Sequence, residues 1–400
     1  MKHYGDITKI KGNEVPIVDV ITGGSPCQDL SIGGDRSGLA GERSGLFLEQ
    51  IRIVREIHDE CRRTNQPIRP RFLIWENVTG CTTTNGGEDF RTVLQEVAQL
   101  ADRSAVIPRL ADGDIWSNSG TIMADRWSIA WRVHDAQFWG LAQRRRRLSL
   151  VADFRGQTAP EILFEREDLQ RNSEQSNQAW QAAAARFRAD FVKAISFHER
   201  AGCEGGGKGI LIQEELTGTL STVNKHAVCI APSFGLGRAA INQSLNSQFD
   251  LSISEEIAPP LIARGPGGVA ANAVVRRLTP KECERLQGFP DDWTNLGDWI
   301  DSQGVKHKTN DTERYKALGN SIAVGYANEK KGFWCWLADR IVNQLKAEGI
   351  EEPTMASLFD GIGGFPLAFS AYGCKPVWAS EIEEFPIAVT KRHFPEGDEE

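Results

Sequence analysis

Four stretches of the sequence carry side chains able to do chemistry. Gly23-Gly24-Ser25-Pro26-Cys27-Gln28-Asp29-Leu30-Ser31 sets a thiol on a glycine- and proline-shaped turn, and a thiol becomes a nucleophile when its surroundings favour the thiolate. Arg71-Phe72-Leu73-Ile74-Trp75-Glu76-Asn77-Val78 runs from apolar residues into a carboxylate and an amide. Gln143-Arg144-Arg145-Arg146-Arg147 is a dense cationic run. Near the other end, Met355-Ala356-Ser357-Leu358-Phe359-Asp360-Gly361-Ile362-Gly363-Gly364-Phe365 reads as a strand, a glycine turn and a helix start, a form that lets a ligand approach the backbone closely at the positive end of the helix. Each has a plain structural explanation when taken alone: a buried cysteine, a solvated acid, a basic edge strand, a tight turn.

The elements around these residues give them a common position. Val15–Thr22 is an apolar, β-branched run that reads as a buried strand, so Cys27 follows a strand end. Glu76 follows another, and neighbouring strands of a parallel sheet lie about 5 Å apart, which allows Glu76 to face Cys27. Helical spacing of Leu46, Phe47, Ile51, Val54, Ile57 and His58, after a cap at Ser44, and of Phe90, Val93, Leu94, Val97 and Leu100 supplies the connecting helices. Trp127–Val133 and Arg147–Ala152 read as two strands joined at Phe138-Trp139-Gly140, with Arg145 and Arg147 on one face and Gln143 leading in. Thr279 caps a helix that starts at Pro280 and ends at Gly288. Gly319-Asn320 is placed at a helix start, and Phe333–Leu345 is an amphipathic helix. Val377–Glu381 is a strand ending in an acid twenty residues after Gly361, where nucleotide-binding folds hold a ribose. The pattern is α/β, with ligands at the carboxyl edge of a parallel sheet.

Composition narrows the class. Hydrophobic residues make up 40% and charged residues 25%, which is ordinary for a globular protein. The eight cysteines include no CxxC pair, which points to reduced thiols and away from a zinc site, so no metal is expected. No apolar run nears the roughly 18 residues that span a bilayer, and Met1–Asp6 lacks the apolar core of a signal peptide. A net charge of −8 speaks weakly against nucleic acid, yet the arginine run leaves room for a local anion groove. From about Ala159 to Val275 the texture turns polar, with Gly205-Gly206-Gly207 and Gly265-Pro266-Gly267-Gly268 between short β-like pieces, as in a separate loop-rich module.

Together the motifs resemble the DNA (cytosine-5) methyltransferases. The matching pieces are Phe359–Phe365, Gly5-Asp6-Ile7, Pro26-Cys27-Gln28, Glu76-Asn77-Val78, Gln143-x-Arg145-x-Arg147, Arg276-x-Leu278-Thr279 through Gln287-Gly288-Phe289-Pro290, and Gly319-Asn320-Ser321, across nearly all of the chain outside its middle. Their order departs from the family's: the cofactor turn usually comes first, and here it comes last, as in a circular permutant with its two ends as neighbours. The resemblance implies a Rossmann-like, S-adenosylmethionine-dependent sheet in two parts (1–155 and 276–400) around a target-recognition domain (156–275). It implies Cys27 as nucleophile toward C6 of a flipped-out cytosine, with Glu76, Arg145 and Arg147 as the other catalytic groups. The cofactor pocket would take Phe359, Asp360, Gly361, Gly363, Gly364, Glu381, Ile382, Asp6, Ile7, Pro26, Leu46, Asn320 and Ser321, with Asp6 at the adenine amine, Glu381 at the ribose and S-adenosylhomocysteine as product. Gln28, Ser31 and Gln143 would touch DNA, and the loop from Ser31 to Gly45 would close over the base. The implied setting is a cytoplasmic monomer, prokaryotic or phage-encoded, acting on double-stranded DNA, with room for a cognate restriction endonuclease.

Rival readings remain at this point. An RNA cytosine methyltransferase would not need so long a middle module. A catalytically silent DNA-binding relative would be marked by loss of the thiol or the carboxylate, and both are present. A nicotinamide-dependent dehydrogenase accounts for the glycine turn and Glu381 but leaves Cys27, Glu76 and the arginines without a role. Methylation of an exocyclic amine lacks its Asp-Pro-Pro-Tyr or Asn-Pro-Pro-Tyr sequence.

Overall fold

The computed structural model describes residues 1–25, 45–111, 114–164, 278–327, 329 and 331–396, and the backbone of seven strands between 194 and 277. In chain order the first part contains β1 (Lys2–His3), β2 (Val20–Gly23), α1 (Leu46–Arg63), β3 (Phe72–Asn77), α2 (Glu88–Ala101), β4 (Ser119–Met123), β5 (Ser128–Asp135), β6 (Arg146–Asp153) and α3 (Ala159–Leu163). The middle holds β7 (Ala194–Arg200), β8 (Gly209–Glu214), β9 (His226–Ile230), β10 (Phe234–Leu236), β11 (Ile253–Glu255), β12 (Gly268–Ala271) and β13 (Val274–Arg277). After it come α4 (Pro280–Gln287), β14 (Asp298–Ile300), β15 (Lys306–Lys308), α5 (Asp311–Asn320), α6 (Phe333–Ala347), β16 (Thr354–Leu358), α7 (Gly364–Ser370), β17 (Lys375–Ser380) and α8 (Glu384–His393).

One eight-stranded sheet runs β1-β17-β16-β2-β3-β6-β5-β4. Its first five strands are parallel and the last three antiparallel. Alternation along the strands feeds two cores. Val20, Phe72, Ile74, Ala130 and Val151 face a cluster built on α3, α6 and α7, while Ile21, Leu73, Trp75, Ile129 and Leu150 face one built on α1 and α2. Helices on both faces of a mostly parallel sheet make the expected three-layer α/β architecture. The middle strands form two further sheets, β8-β7-β9 and β11-β10-β12-β13. Ala159, Ile162 and Leu163 pack in the main core, so the core extends a few residues past the expected boundary at 156.

The expected helices are present, with revised ends. Ser44 lies outside the described residues, and the N-cap of α1 is Gly45, without a side-chain cap. α4 carries the Thr279–Glu282 capping box and ends on left-handed Gly288. Gly319-Asn320 falls at the end of α5, not at a helix start. Asn310 caps that helix by accepting from Glu313 N–H, and Ser321 N–H closes it on Ala317 and Leu318. β2 begins at Val20 instead of Val15, since Pro16 has no N–H to give to a ladder. At the chain's start, the Met1 ammonium donates to the carbonyls of Phe394 and Pro395, at 3.2 and 2.9 Å. Among the described residues no helix is long and apolar enough to cross a membrane.

Behind α4 the backbone is packed without side chains between. A Cβ on Gly325, whose φ is +72°, would lie 2.2 Å from the Gly332 Cα, and one on Gly288 2.3 Å from the Gly325 Cα. Gly325 N–H also donates to the Gln287 carbonyl at 3.1 Å. Gly325→Ala therefore forces both a left-handed alanine and a backbone clash, and we expect a loss of about 2 kcal/mol or more. Thermal unfolding reads this directly; an unchanged Tm would show that the two backbones can part freely.

Candidate active site

All the chemistry-bearing stretches leave the central sheet at one edge. Leu358, Gly23 and Trp75 stand in one register across β16, β2 and β3, and Leu358 pairs with Ser380 of β17. The chain therefore exits into the glycine turn, Gly24-Ser25, Glu76-Asn77 and Glu381 side by side. β6 is antiparallel to β3, so its beginning meets this same edge, with Leu148 opposite Asn77. A sheet places there what the sequence scatters over more than 350 residues.

Glu76 and Arg147 meet. Arg147 Nε lies 2.9 Å from Glu76 Oε1, with both side chains mostly covered. Arg147 Nη1 donates to the Arg146 carbonyl, which fixes the guanidinium plane. The loop that carries Cys27 starts against the same carboxylate: a Cβ built on Gly24 would lie 3.1 Å from Glu76 Oε2, an approach that a larger residue would crowd. Ser25 anchors that start. Its hydroxyl accepts from Trp75 Nε1 at 3.1 Å, and Asn77 Nδ2 donates to its carbonyl and hydroxyl at 3.4 Å. Asn77 in turn accepts from Val78 N–H. The amide of Glu-Asn-Val is thus a structural pin for the loop, a role that its position in the sequence did not signal. Pro26, Cys27, Gln28, Ser31 and the loop through Ser44 lie outside the described residues.

Arg145 is held by backbone carbonyls. It precedes β6, is 3% exposed, and donates to the carbonyls of Gly319 and Ser321. Its own N–H is held by Asp135 Oδ1 at 2.8 Å, which turns the segment inward. It therefore ties Asn320 and Ser321 to the arginine segment. Gln143, expected at DNA, is fully buried by the same inward turn and presents no DNA-facing surface in this structure. The Ser321 hydroxyl lies 3.4 Å from where a Gly364 Cβ would be, so the end of α5 abuts the glycine turn.

The glycine turn is held from three sides. Gly361 and Gly363 have positive φ (+58° and +78°), which glycine adopts without strain, while Phe359 is held at +54° in the same left-handed region, which a side chain disfavours. Gly361 N–H donates to Glu381 Oε2 at 2.8 Å, its carbonyl accepts from Thr390 Oγ1, and Trp293 Nε1 holds the Ile362 carbonyl. The other Glu381 oxygen accepts from the N–H groups of Ile382 and Glu383. Nothing lies within 4 Å of where a Gly361 Cβ would project, so open space adjoins the turn, and Ile382 beside it is 66% exposed. Asp6 accepts from both Thr8 donors, chiefly the backbone N–H, which lowers its pKa; Ile7 is buried and Leu46 half-buried at the first turn of α1. Among the described residues no three metal-type ligands gather.

Asp360 is the outlier in this turn. It is 5% exposed, and burial pushes its carboxyl from 3.8 up to about 7, with Glu381 adding to the rise. A carboxyl with a higher pKa folded than unfolded takes up a proton on folding between the two values. Its favourable contribution is complete below about pH 4 and is lost as pH rises through about 7. We expect this group to remove roughly 4 kcal/mol of stability between those limits, and Asp360→Asn to abolish that dependence and raise Tm at mildly alkaline pH. Denaturant unfolding across the interval tests it; equal slopes for the two proteins would refute it.

Comparison with known proteins identifies the family. The family model for C-5 cytosine-specific DNA methylases matches residues 1–101 and 121–330. A protein of Escherichia phage P1 named DNA N-6-adenine-methyltransferase is 29% identical over 440 residues, covering 87% of this chain. The chain spans only 56% of that phage protein's length. The type II methyltransferase M.HhaI of Haemophilus parahaemolyticus is 23% identical over 81% of this chain and 77% of its own. The solved structure of the S. pombe Dnmt2 methyltransferase covers 86% of this chain and 84% of its own at 14% identity, with a TM-score of 0.37, too low to add to the topology above. With the profile extending over most of its length, the chain belongs to the C-5 cytosine-specific DNA methylase family.

Proposed function

We propose that the protein transfers a methyl group from S-adenosylmethionine to C5 of a cytosine flipped out of duplex DNA, through a covalent adduct with Cys27. The observation that carries this reading is the Glu76–Arg147 ion pair at the strand end next to the one that leads into the Cys27 loop. The residues around the glycine turn fit the donor: open space at Gly361, an exposed Ile382 able to lie against an adenine, and Glu381 with lone pairs left for ribose hydroxyls. Phe359, Gly363, Asp6, Ile7, Leu46 and Asn320 border that space in this reading.

When bound, S-adenosylmethionine supplies an electrophilic methyl group on a sulfonium. Cys27, as the thiolate, would form a bond to C6 of the base, and the ring's electron pair would move to C5, which then takes the methyl group as the S–CH3 bond breaks and its electron pair stays on sulfur, with S-adenosylhomocysteine leaving. Glu76 holds N3 and the exocyclic amine while charge develops on the ring, and Arg147, aligned by Glu76, holds the base carbonyl. Loss of the C5 proton to a base and expulsion of the thiolate restore the ring. None of these atoms is reachable in a stacked duplex, so the cytosine must leave the helix. Arg145 acts indirectly, by tying Asn320-Ser321 into the pocket wall. Residues 156–275 form the target-recognition domain and read bases in the major groove.

The motif order is that of a circular permutant. In support, β16 pairs with β2 and β17 with β1, so the end of β16 lies level with Gly23 at the end of β2. Adenine methylation, suggested by the name of the phage relative, gains nothing from Cys27, Glu76 or the arginines and lacks its own sequence signature.

DNA bearing 5-fluorocytosine within the target site, with S-adenosylmethionine, is expected to trap a covalent complex, since fluorine cannot leave C5 as a proton does. Cys27→Ser should form none. A complex of equal yield with that variant refutes the nucleophile, and nucleoside analysis of methylated DNA showing only N6-methyladenine refutes the reaction.

A further inference from the structure

The point where the chain leaves the catalytic core is held by two arginines from elements far away in sequence. α3 is only five residues long, so its last carbonyls have no helical partner. Arg340 of α6 donates Nε to the Ile162 carbonyl at 2.8 Å and Nη2 to those of Glu161 and Phe164. Arg132 of β5 donates Nη1 to the Leu163 carbonyl at 3.1 Å. Four successive carbonyls, Glu161 through Phe164, are thereby taken by two cations. Water would satisfy such groups at an ordinary helix end; two charged donors from different elements fix the direction of the chain instead.

The guanidinium groups are themselves immobilised. Arg340 lies 5.0 Å over the Trp336 ring, and Arg132 lies 5.7 Å over Trp139 and 6.0 Å over Phe333. The chain's return is pinned as well. Tyr315 of α5 donates its hydroxyl to the Leu278 carbonyl at 2.7 Å, and burial pushes that phenol up to about 12, so it remains a donor. The exit is also tied to the candidate site. Arg132 pairs across the sheet with Ser149, and Ser149 with Glu76, so exit and carboxylate share one row, two strands or about 10 Å apart.

We infer that Arg132, Arg340 and Tyr315 are positioning residues that set the bearing of the target-recognition segment on the catalytic sheet, and with it DNA affinity and target fidelity. This rests on the function proposed above. A segment that reads bases must hold them at a fixed offset from the pocket that receives the flipped cytosine. A swivel at Phe164 or Leu278 would loosen that offset without touching the chemistry.

The test uses the full-length protein and the variants Arg340→Ala, Arg340→Lys, Arg132→Gln and Tyr315→Phe, with methylation mapped by bisulfite sequencing of a random-sequence library. We expect Arg340→Ala and Arg132→Gln to raise the KM for DNA about tenfold and to increase methylation at near-cognate sites. kcat and S-adenosylmethionine affinity, the latter by calorimetry, should stay within about twofold of wild type. Arg340→Lys should recover part of the loss, and Tyr315→Phe, which keeps the ring packing, should show a smaller shift of the same kind. A lower Tm with unchanged KM and unchanged site preference overturns the inference, as does a fall in kcat or donor affinity alone. Failure of the wild-type protein to methylate cytosine would count against the proposed reaction instead. In that event, binding of the duplex library to wild type and to Arg340→Lys by fluorescence anisotropy decides the positioning role, equal affinity and equal sequence preference overturning it.

Discussion

The site depends on one buried carboxylate at the opposite end of the sheet. Asp19 N–H donates to the Thr354 carbonyl, and Thr354 returns its N–H and hydroxyl to Asp19 Oδ2, both at 2.9 Å. The Asp19 carbonyl receives the N–H groups of Arg71 and Phe72, and Arg69 Nε lies 3.2 Å from Oδ1. The beginnings of β16, β2 and β3 are thus keyed to one residue that is 2% exposed. Because side chains alternate along a strand, a slip of one residue would turn every inward side chain outward. Asp19 fixes the register, and the register puts Leu358, Gly23 and Trp75 level at the far edge, where the glycine turn, the cysteine loop and Glu76 begin.

From that edge outward, each functional group is held by a neighbour on a different strand or helix. Trp75 and Asn77 hold Ser25, Arg147 holds Glu76, Arg145 holds the end of α5, and Glu381 holds Gly361. Such bonds contribute about 0.5–1.5 kcal/mol each between neutral partners and about 1.5–3 where one is charged, so the lattice is stiff while no single contact dominates it. A stiff lattice suits chemistry that depends on held geometry, since groups already in place need no reorganisation as charge develops.

The layered sheet, the helices of both faces and the edge where the motifs meet were legible in the sequence, because hydrophobic period and strand-end punctuation are local signals. What was not legible depended on partners distant in sequence. Gly319-Asn320 looks like a helix start, yet the cap is Asn310, nine residues earlier, and the glycine ends the helix where Arg145 and Gln287 reach its carbonyls. Two-residue β1 becomes a strand only because β17 lies beside it. β4, at the open edge of the sheet, carries Gly120 and Thr121 with too little apolar pattern to announce itself. Arg145 and Arg147 share a sequence period, yet Asp135 takes the N–H of the first before β6 begins and its guanidinium reaches the Gly319 and Ser321 carbonyls, contacts that no local pattern announces.

The order of the motifs has a physical consequence of its own. The contact between Asp19 and Thr354 joins residues 335 apart, and it lies at the middle of the sheet instead of at an edge. Closing so long a loop costs about 2 kcal/mol more than closing one of a few dozen residues. Contacts of such separation also form slowly in folding. The β2–β3–β6–β5–β4 half can assemble from residues within the first 153, and β16–β17 from the last fifty, before the two halves meet. The charge-assisted bonds at Asp19 sit where the halves join, and they are of a size to offset that closure. The seam between β2 and β16 is therefore where the two halves of the sheet, and of the site, are joined.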